Sequence, residues 1–173
     1  MQLKYLPSFV KRRGRITKRQ SKALEQLDNF LVTDVDDISE ALKNYSSCYL
    51  EIGFGNGEFL IRSAISRPNE LFIGVEVYLN GIAKVLESIL DFRLKNIVLS
   101  NLNSFYFLKA MPHKSVDKIF LINPDPWNKK KHHKRRMKSF KTLSLLNKII
   151  KSKDSIYMTT DSIGYLRDTV NML

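Results

Sequence analysis

The stretch Cys48-Tyr49-Leu50-Glu51-Ile52-Gly53-Phe54-Gly55-Asn56-Gly57-Glu58 joins a short apolar run to three glycines at alternate positions, and a helix-spaced segment follows over Glu58–Ile65. Glycines between a strand and a helix permit a tight turn and let a ligand approach the backbone. The spacing is Gly-x-Gly-x-Gly, and no Gly-Lys-Ser/Thr follows, so the segment is not the phosphate loop of a nucleotide hydrolase. Glu51, just ahead of the glycines, would repel a pyrophosphate but can accept hydrogen bonds from an ammonium group. A plain strand-to-helix turn is the competing reading of the loop taken alone.

Outward from this stretch, short apolar runs alternate with helical segments. The runs are Cys48–Ile52, Leu71–Val77, Asn96–Leu99, Val116–Ile122 and Ser155–Thr159; the helices fall at about Glu58–Ile65, Leu79–Phe92, Ser104–Ala110 and Met137–Ile150. That alternation predicts a layered α/β fold around a mostly parallel sheet. Before the first run, Ala23, Leu24, Leu27, Phe30 and Leu31 predict a helix over Ser21–Val32, and Thr33–Asp37 reads as a turn. Ligands of such sheets bind beyond the carboxyl ends of the strands. Each end carries polar groups: Glu51, Glu76, Asn103, Asn123 with Asp125, and Asp161. Glu76 lies 19 residues beyond Gly57, a spacing at which an acid reaches ribose hydroxyls. Asn103 suits either an adenine edge or the cap of the next helix.

The net charge of +12 is concentrated in two places. Residues 1–22 hold eight Lys or Arg and no acid, and residues 129–136 hold six more, leaving 15 basic against 17 acidic residues elsewhere. Two basic blocks on a neutral body point to a polyanion, most simply nucleic acid, against the plainer reading of two solvated charge runs. Nothing approaches the ~20 apolar residues of a membrane helix. An anionic membrane surface is the weaker third reading of the basic blocks, because neither sits on a clear amphipathic helix, and no membrane partner is expected. Cys48 is the one cysteine, which excludes an internal disulfide and a multi-cysteine zinc site and accords with a reducing cytoplasm. His132 and His133 have no acidic or cysteine co-ligand nearby in sequence, so no metal is expected.

The second block follows directly on Ile119-Phe120-Leu121-Ile122-Asn123-Pro124-Asp125-Pro126-Trp127-Asn128. Two prolines restrict the loop that carries the Asp125 carboxylate at a strand end. Trp127 offers a flat surface for a base or for the core.

The segments LEIGFGNGEFL, FIGVEV, NPDPWNKKKHHKRR and YMTTD, in that order, resemble those of the bacterial tRNA (guanine-N7-)-methyltransferases, the TrmB family, and RRGRITKRQSKAL resembles its N-terminal region. The resemblance runs from about Ser8 to Tyr165. It implies a Rossmann-like class I methyltransferase fold, with a basic arm over residues 1–20 and the methyltransferase domain over 21–173. The implied reaction moves a methyl group from S-adenosylmethionine to N7 of a guanine in the tRNA variable loop, position 46. It further implies that Glu51, Gly53, Gly55, Gly57, Glu76, Asn103 and Asp125 form the cofactor site. Asp125 would also be the catalytic carboxylate. Lys129, Lys131, His132, His133, Lys134, Arg135, Arg136 and Asp161 would meet the tRNA. The implied protein is a cytoplasmic monomer whose partner is tRNA.

Three departures accompany the resemblance. Asn103 stands where the family usually has Asp, which is expected to weaken cofactor binding without abolishing it. Asn123 stands where the family more often has Phe. Family members also continue beyond the fifth strand into a helix, a further strand pair and a Thr-x-x-Glu segment that helps bind guanine, whereas this sequence ends at Leu173. The resemblance therefore implies a fold lacking its C-terminal strands, and the alternative function is a truncated, catalytically inactive tRNA-binding homologue.

Overall fold

The five apolar runs form five strands in a computed structural model that describes residues 14–127, 140–152 and 156–171. They are β1 (Cys48–Ile52), β2 (Leu71–Val75), β3 (Ile97–Ser100), β4 (Lys118–Ile122) and β5 (Ile156–Thr159). All pair in parallel, in the order β3-β2-β1-β4-β5. Among the described residues the helices are α1 (Lys18–Leu24), α2 (Val35–Lys43), α3 (Glu58–Ser66), α4 (Leu79–Phe92), α5 (Ser104–Ala110), α6 (Phe140–Ile149) and α7 (Ile163–Val170). The direction of winding reverses at β1, which has β2 on one side and β4 on the other. In open sheets of this kind the crevice beyond such a reversal is the ligand site.

Strand alternation divides the core in two. Leu50, Ile52, Leu71, Ile73, Val75, Ile119 and Leu121 pack with α2, α5 and α6. Phe72, Ile97 and Leu99 pack with α1, α3 and α4. Burial of both faces explains why β1, β2 and β3 read as mainly apolar runs, while β5, at the sheet edge, is partly exposed.

The expected helix over Ser21–Val32 is corrected. Helix α1 starts earlier, because Thr17 and Gln20 form a reciprocal capping box, and it ends at Leu24. One 3-10 turn follows over Leu27–Asn29. The chain then runs beside β3: Leu99 N–H donates to the Phe30 carbonyl at 2.7 Å and Val32 N–H to the Leu99 carbonyl at 2.8 Å. This pairing covers the outer edge of β3. The turn expected at Thr33–Asp37 is instead the start of α2. Asp34 accepts from the N–H groups of Asp36 and Asp37, and the acids at 36 and 37 favour the positive end of the helix. Helix α7 was also not expected; Ser162 caps it through Tyr165 N–H.

Order reaches into the expected arm. Helix α1 begins at Lys18, Ala23 is buried, and Arg19 forms ion pairs with Glu87 and Asp91 on α4. No described helix is long and apolar enough to cross a membrane.

Candidate active site

Gly53, Gly55 and Gly57 all adopt left-handed backbone, with φ of 75°, 56° and 73°. A Cβ at Gly53 or Gly55 would meet nothing within 4 Å, so the loop presents bare backbone to open space. Crowding adds to the constraint at Gly57, where a Cβ would lie 2.0 Å from Val85 Cγ2. Helix α4 docks on the same loop through Gly81, whose missing Cβ would stand 2.1 Å from the Gly55 carbonyl oxygen. Sequence reading passed over Gly81; a glycine in the first turn of a helix was its available signal.

Glu76, just past β2, binds the loop from the other side. Its Oε2 accepts from Gly55 N–H at 2.9 Å, and its Oε1 accepts from Val77 N–H at 2.7 Å and Tyr78 N–H at 3.0 Å. An ionised carboxylate offers about four lone-pair sites, so one acceptor position stays open.

Glu51 is 4% exposed, and its Oε2 is buried without a hydrogen-bond partner. Burial, followed by the nearby charge of Glu76, pushes its carboxyl up to about 8. Glu70 makes the contrast: its Oε2 also lacks a hydrogen bond, but the Arg67 guanidinium lies 3.3 Å away. Glu51 has no such cation among the described residues. A buried carboxylate lacking a partner at the base of a bare glycine loop suits a ligand that brings its own positive charge.

The remaining predicted residues are spread along the same edge. Asn103 caps α5, with its Oδ1 accepting from Phe105 N–H at 2.9 Å, while its Nδ2 carries no bond among the described residues. Both readings of Asn103 are thus compatible, since the cap uses only its oxygen. Asp125 is exposed between Pro124 and Pro126, and Trp127 is half-buried with φ of 45°. Asp161 is exposed in the bend between β5 and α7. Lys129, Lys131, His132, His133, Lys134, Arg135 and Arg136 lie outside the described residues.

Asn123 takes a left-handed φ of 45°, which Asn tolerates better than most residues. Its N–H donates to both the carbonyl and Oγ1 of Thr159, and Thr159 Oγ1 donates back to Asn123 Oδ1 at 3.1 Å. Sequence reading had marked Asn123 only as a polar strand end and a departure from the family pattern. The partnership with Thr159 depends on β4 and β5 being neighbours.

A family described as "Putative methyltransferase" matches residues 45–173. The chain is 36% identical to the tRNA (guanine-N(7)-)-methyltransferase of Neorickettsia sennetsu over 162 residues, covering 93% of this chain and 71% of that protein. It is 39% identical over 137 residues to a bifunctional methyltransferase of Rickettsia bellii, but that match covers 78% of this chain and only 25% of the larger protein. Among solved structures, the 16S rRNA (adenine(1408)-N(1))-methyltransferase of Catenulisporales acidiphilia, solved with its cosubstrate SAM, superimposes with a TM-score of 0.57 at 18% identity, covering 75% of this chain and 58% of that one. That likeness identifies the fold as the Rossmann-like class I methyltransferase architecture. Sequence identity of this extent, across most of both this chain and the Neorickettsia protein, shows that the chain belongs to the tRNA (guanine-N(7)-)-methyltransferase family.

Proposed function

We propose that this chain transfers the methyl group of S-adenosylmethionine to N7 of a guanine in the variable loop of tRNA, position 46. The observation that carries the reading is the buried, partnerless Oε2 of Glu51 beside a bare glycine loop, at the strand where the sheet reverses. S-Adenosylmethionine supplies an electrophilic methyl group on a sulfonium and carries an ammonium that Glu51 can pair with. Gly53, Gly55 and Gly57 leave room for it against the backbone. The open acceptor position of Glu76 suits ribose hydroxyls, and the free Nδ2 of Asn103 suits an acceptor on the adenine edge.

Guanine N7 has an in-plane lone pair and loses no proton on methylation. The protein therefore needs no strong base; its task is to hold N7 in line with the methyl group. Asp125 accepts hydrogen bonds from the guanine edge and offsets the positive charge left on the methylated base. Asp161, in the bend after the neighbouring strand β5, makes a second contact to the substrate. Lys129, Lys131, His132, His133, Lys134, Arg135 and Arg136 begin four residues after Asp125 and hold the phosphate backbone near it.

The test is incubation of the purified chain with methyl-labelled S-adenosylmethionine and unmodified tRNA. Label recovered in 7-methylguanosine is expected, and transfer to no nucleoside sinks the reading. Asp125→Asn separates positioning of guanine from ordering of the cofactor. Unchanged cofactor affinity with lost turnover supports the first; lost affinity assigns Asp125 to the cofactor.

A further inference from the structure

We infer that Asn123 and Thr159 form a clasp that sets the separation of the two substrate carboxylates, Asp125 and Asp161. The inference rests on the proposed function, which gives those carboxylates their role.

The geometry is reciprocal. Strands β4 and β5 end in register, with Ile122 opposite Thr159. Asn123 N–H donates to the Thr159 carbonyl at 3.1 Å, the last bond of the ladder, and also reaches Thr159 Oγ1 at 3.2 Å. The same hydroxyl donates to Asn123 Oδ1 at 3.1 Å. One hydroxyl is thus both acceptor and donor to a single residue, which fixes the Asn123 rotamer and the backbone beyond the strand together.

The clasp lies two residues before each carboxylate. Asp125 is two residues past Asn123, and Asp161 two residues past Thr159. Neighbouring strands run about 4.8 Å apart, so the two chains leave the sheet side by side. On the first branch, the left-handed turn at Asn123 and the fixed φ of Pro124 and Pro126 remove most of the freedom of Asp125. On the second, Ser162 N–H donates to Thr160 Oγ1 at 3.1 Å, closing the bend that carries Asp161. What remains to fix is the relation between the branches, and the hydrogen bonds of Asn123 and Thr159 tie one strand end to the other. These are positioning residues, since they act through the two acids. The glycine loop and Glu76 follow β1 and β2, away from β4 and β5, so the cofactor contacts they supply are expected to be independent of the clasp.

Thr159→Val keeps the β-branched shape and removes the hydroxyl; Thr159→Ser restores it. Three quantities are measured: amide exchange at Asn123, S-adenosylmethionine affinity, and the single-turnover rate of methyl transfer to tRNA. Thr159→Val should exchange faster at Asn123 and transfer about tenfold more slowly, the scale on which small misplacements of a reacting pair act. Its cofactor affinity should stay within about twofold of wild type. Thr159→Ser should return all three to wild type. Asn123→Gly keeps the left-handed turn without the acceptor and should lose a similar factor, and the double variant Asn123→Gly/Thr159→Val should be no worse than either single. Wild-type transfer by Thr159→Val, unaltered exchange at Asn123, or losses that multiply in the double variant would overturn the inference while leaving the proposed function standing. Absence of transfer by the wild-type chain overturns both.

Discussion

Gly55 N–H donates to Glu76 Oε2 at 2.9 Å, so the loop leaving β1 is held by the acid leaving β2. The same carboxylate takes two more backbone N–H groups at the start of α4. Glu76 is therefore ordered by backbone N–H groups alone, and a ligand that used its remaining acceptor position would meet a carboxylate already held in place. Glu76→Gln puts an amide NH₂ against a backbone donor and loses at least one charge-assisted bond. It should lower the stability of the ligand-free chain by roughly 1–3 kcal/mol and weaken S-adenosylmethionine binding as well. Thermal unfolding with and without S-adenosylmethionine separates the two effects; a variant as stable as wild type would show that the loop does not depend on this acid.

Glu51 carries a pH signature. Its carboxyl rises to about 8 in the fold, chiefly through burial, against about 4.3 in an unfolded chain. The folded state therefore holds the proton more tightly. The associated stability is fully present below about pH 4 and is lost as pH rises to about 8, beyond which the fold carries an ionised buried carboxylate. Glu51→Gln removes that burden. The variant should be more stable than wild type at pH 8.5, by a few kcal/mol on the scale of ~1.4 kcal/mol per pKa unit, with the gap closing at pH 5. Urea unfolding at the two pH values measures it, and equal gaps at both would contradict the assignment. S-Adenosylmethionine binding at pH 7 should release about one proton as Glu51 ionises against the ammonium, and calorimetry in buffers of different ionisation enthalpy reads that release.

Two helical glycines should behave oppositely. A Cβ at Gly81 would lie 2.1 Å from the Gly55 carbonyl, a backbone atom that can move only if the loop moves. Gly81→Ala should destabilise the chain by about 1–3 kcal/mol and weaken cofactor binding, because the glycine loop is what it displaces. Gly164, within α7, has nothing within 4 Å of its Cβ position. Gly164→Ala should instead stabilise by roughly 0.5–1 kcal/mol. Melting curves for the pair decide it, and a neutral Gly81→Ala would mean that α4 and the loop are not in firm contact.

The sequence made β1, β2 and β3 legible because both faces of the sheet are largely buried there, so they read as mainly apolar runs. The edge strand β5 is partly exposed and was marked by its short Ile-Tyr-Met run alone. The glycine loop was legible for a related reason: three alternate glycines between a strand and a helix serve one local purpose. Less visible were features set by neighbours distant in sequence. Ser21–Val32 has helical spacing, yet Phe30–Val32 serves the edge of β3, which no local pattern records. The acids at 34, 36 and 37 resembled a turn because capping residues and turn residues are the same types. Asn123 read as a polar strand end, and only the adjacency of β4 and β5 gives it Thr159 as a partner. Glu51 was legible as a candidate ligand of an ammonium; that its oxygen is buried without a partner is a property of the packed site.

The positive charge of the two basic blocks is not uniformly available to RNA. Arg19 is bound to Glu87 and Asp91 on α4, so its charge is already balanced within the protein. A polyanion gains affinity by releasing counterions from the phosphates that a protein neutralises, and each such contact contributes about 0.7–0.9 to the slope of log affinity against log salt. Arg19→Gln should therefore leave the salt slope of tRNA binding within about half a unit of wild type. Its effect on stability should also be small, as exposed ion pairs contribute about 0–1 kcal/mol. Replacing Lys129, Lys131, Lys134, Arg135 and Arg136 with Gln should flatten the slope by several units, since these cations follow directly on the Asp125 loop where the RNA is proposed to lie. Filter binding or fluorescence anisotropy with labelled tRNA over a range of salt gives both slopes. A fall in slope for Arg19→Gln as large as one full contact would place Arg19 on the RNA rather than on α4.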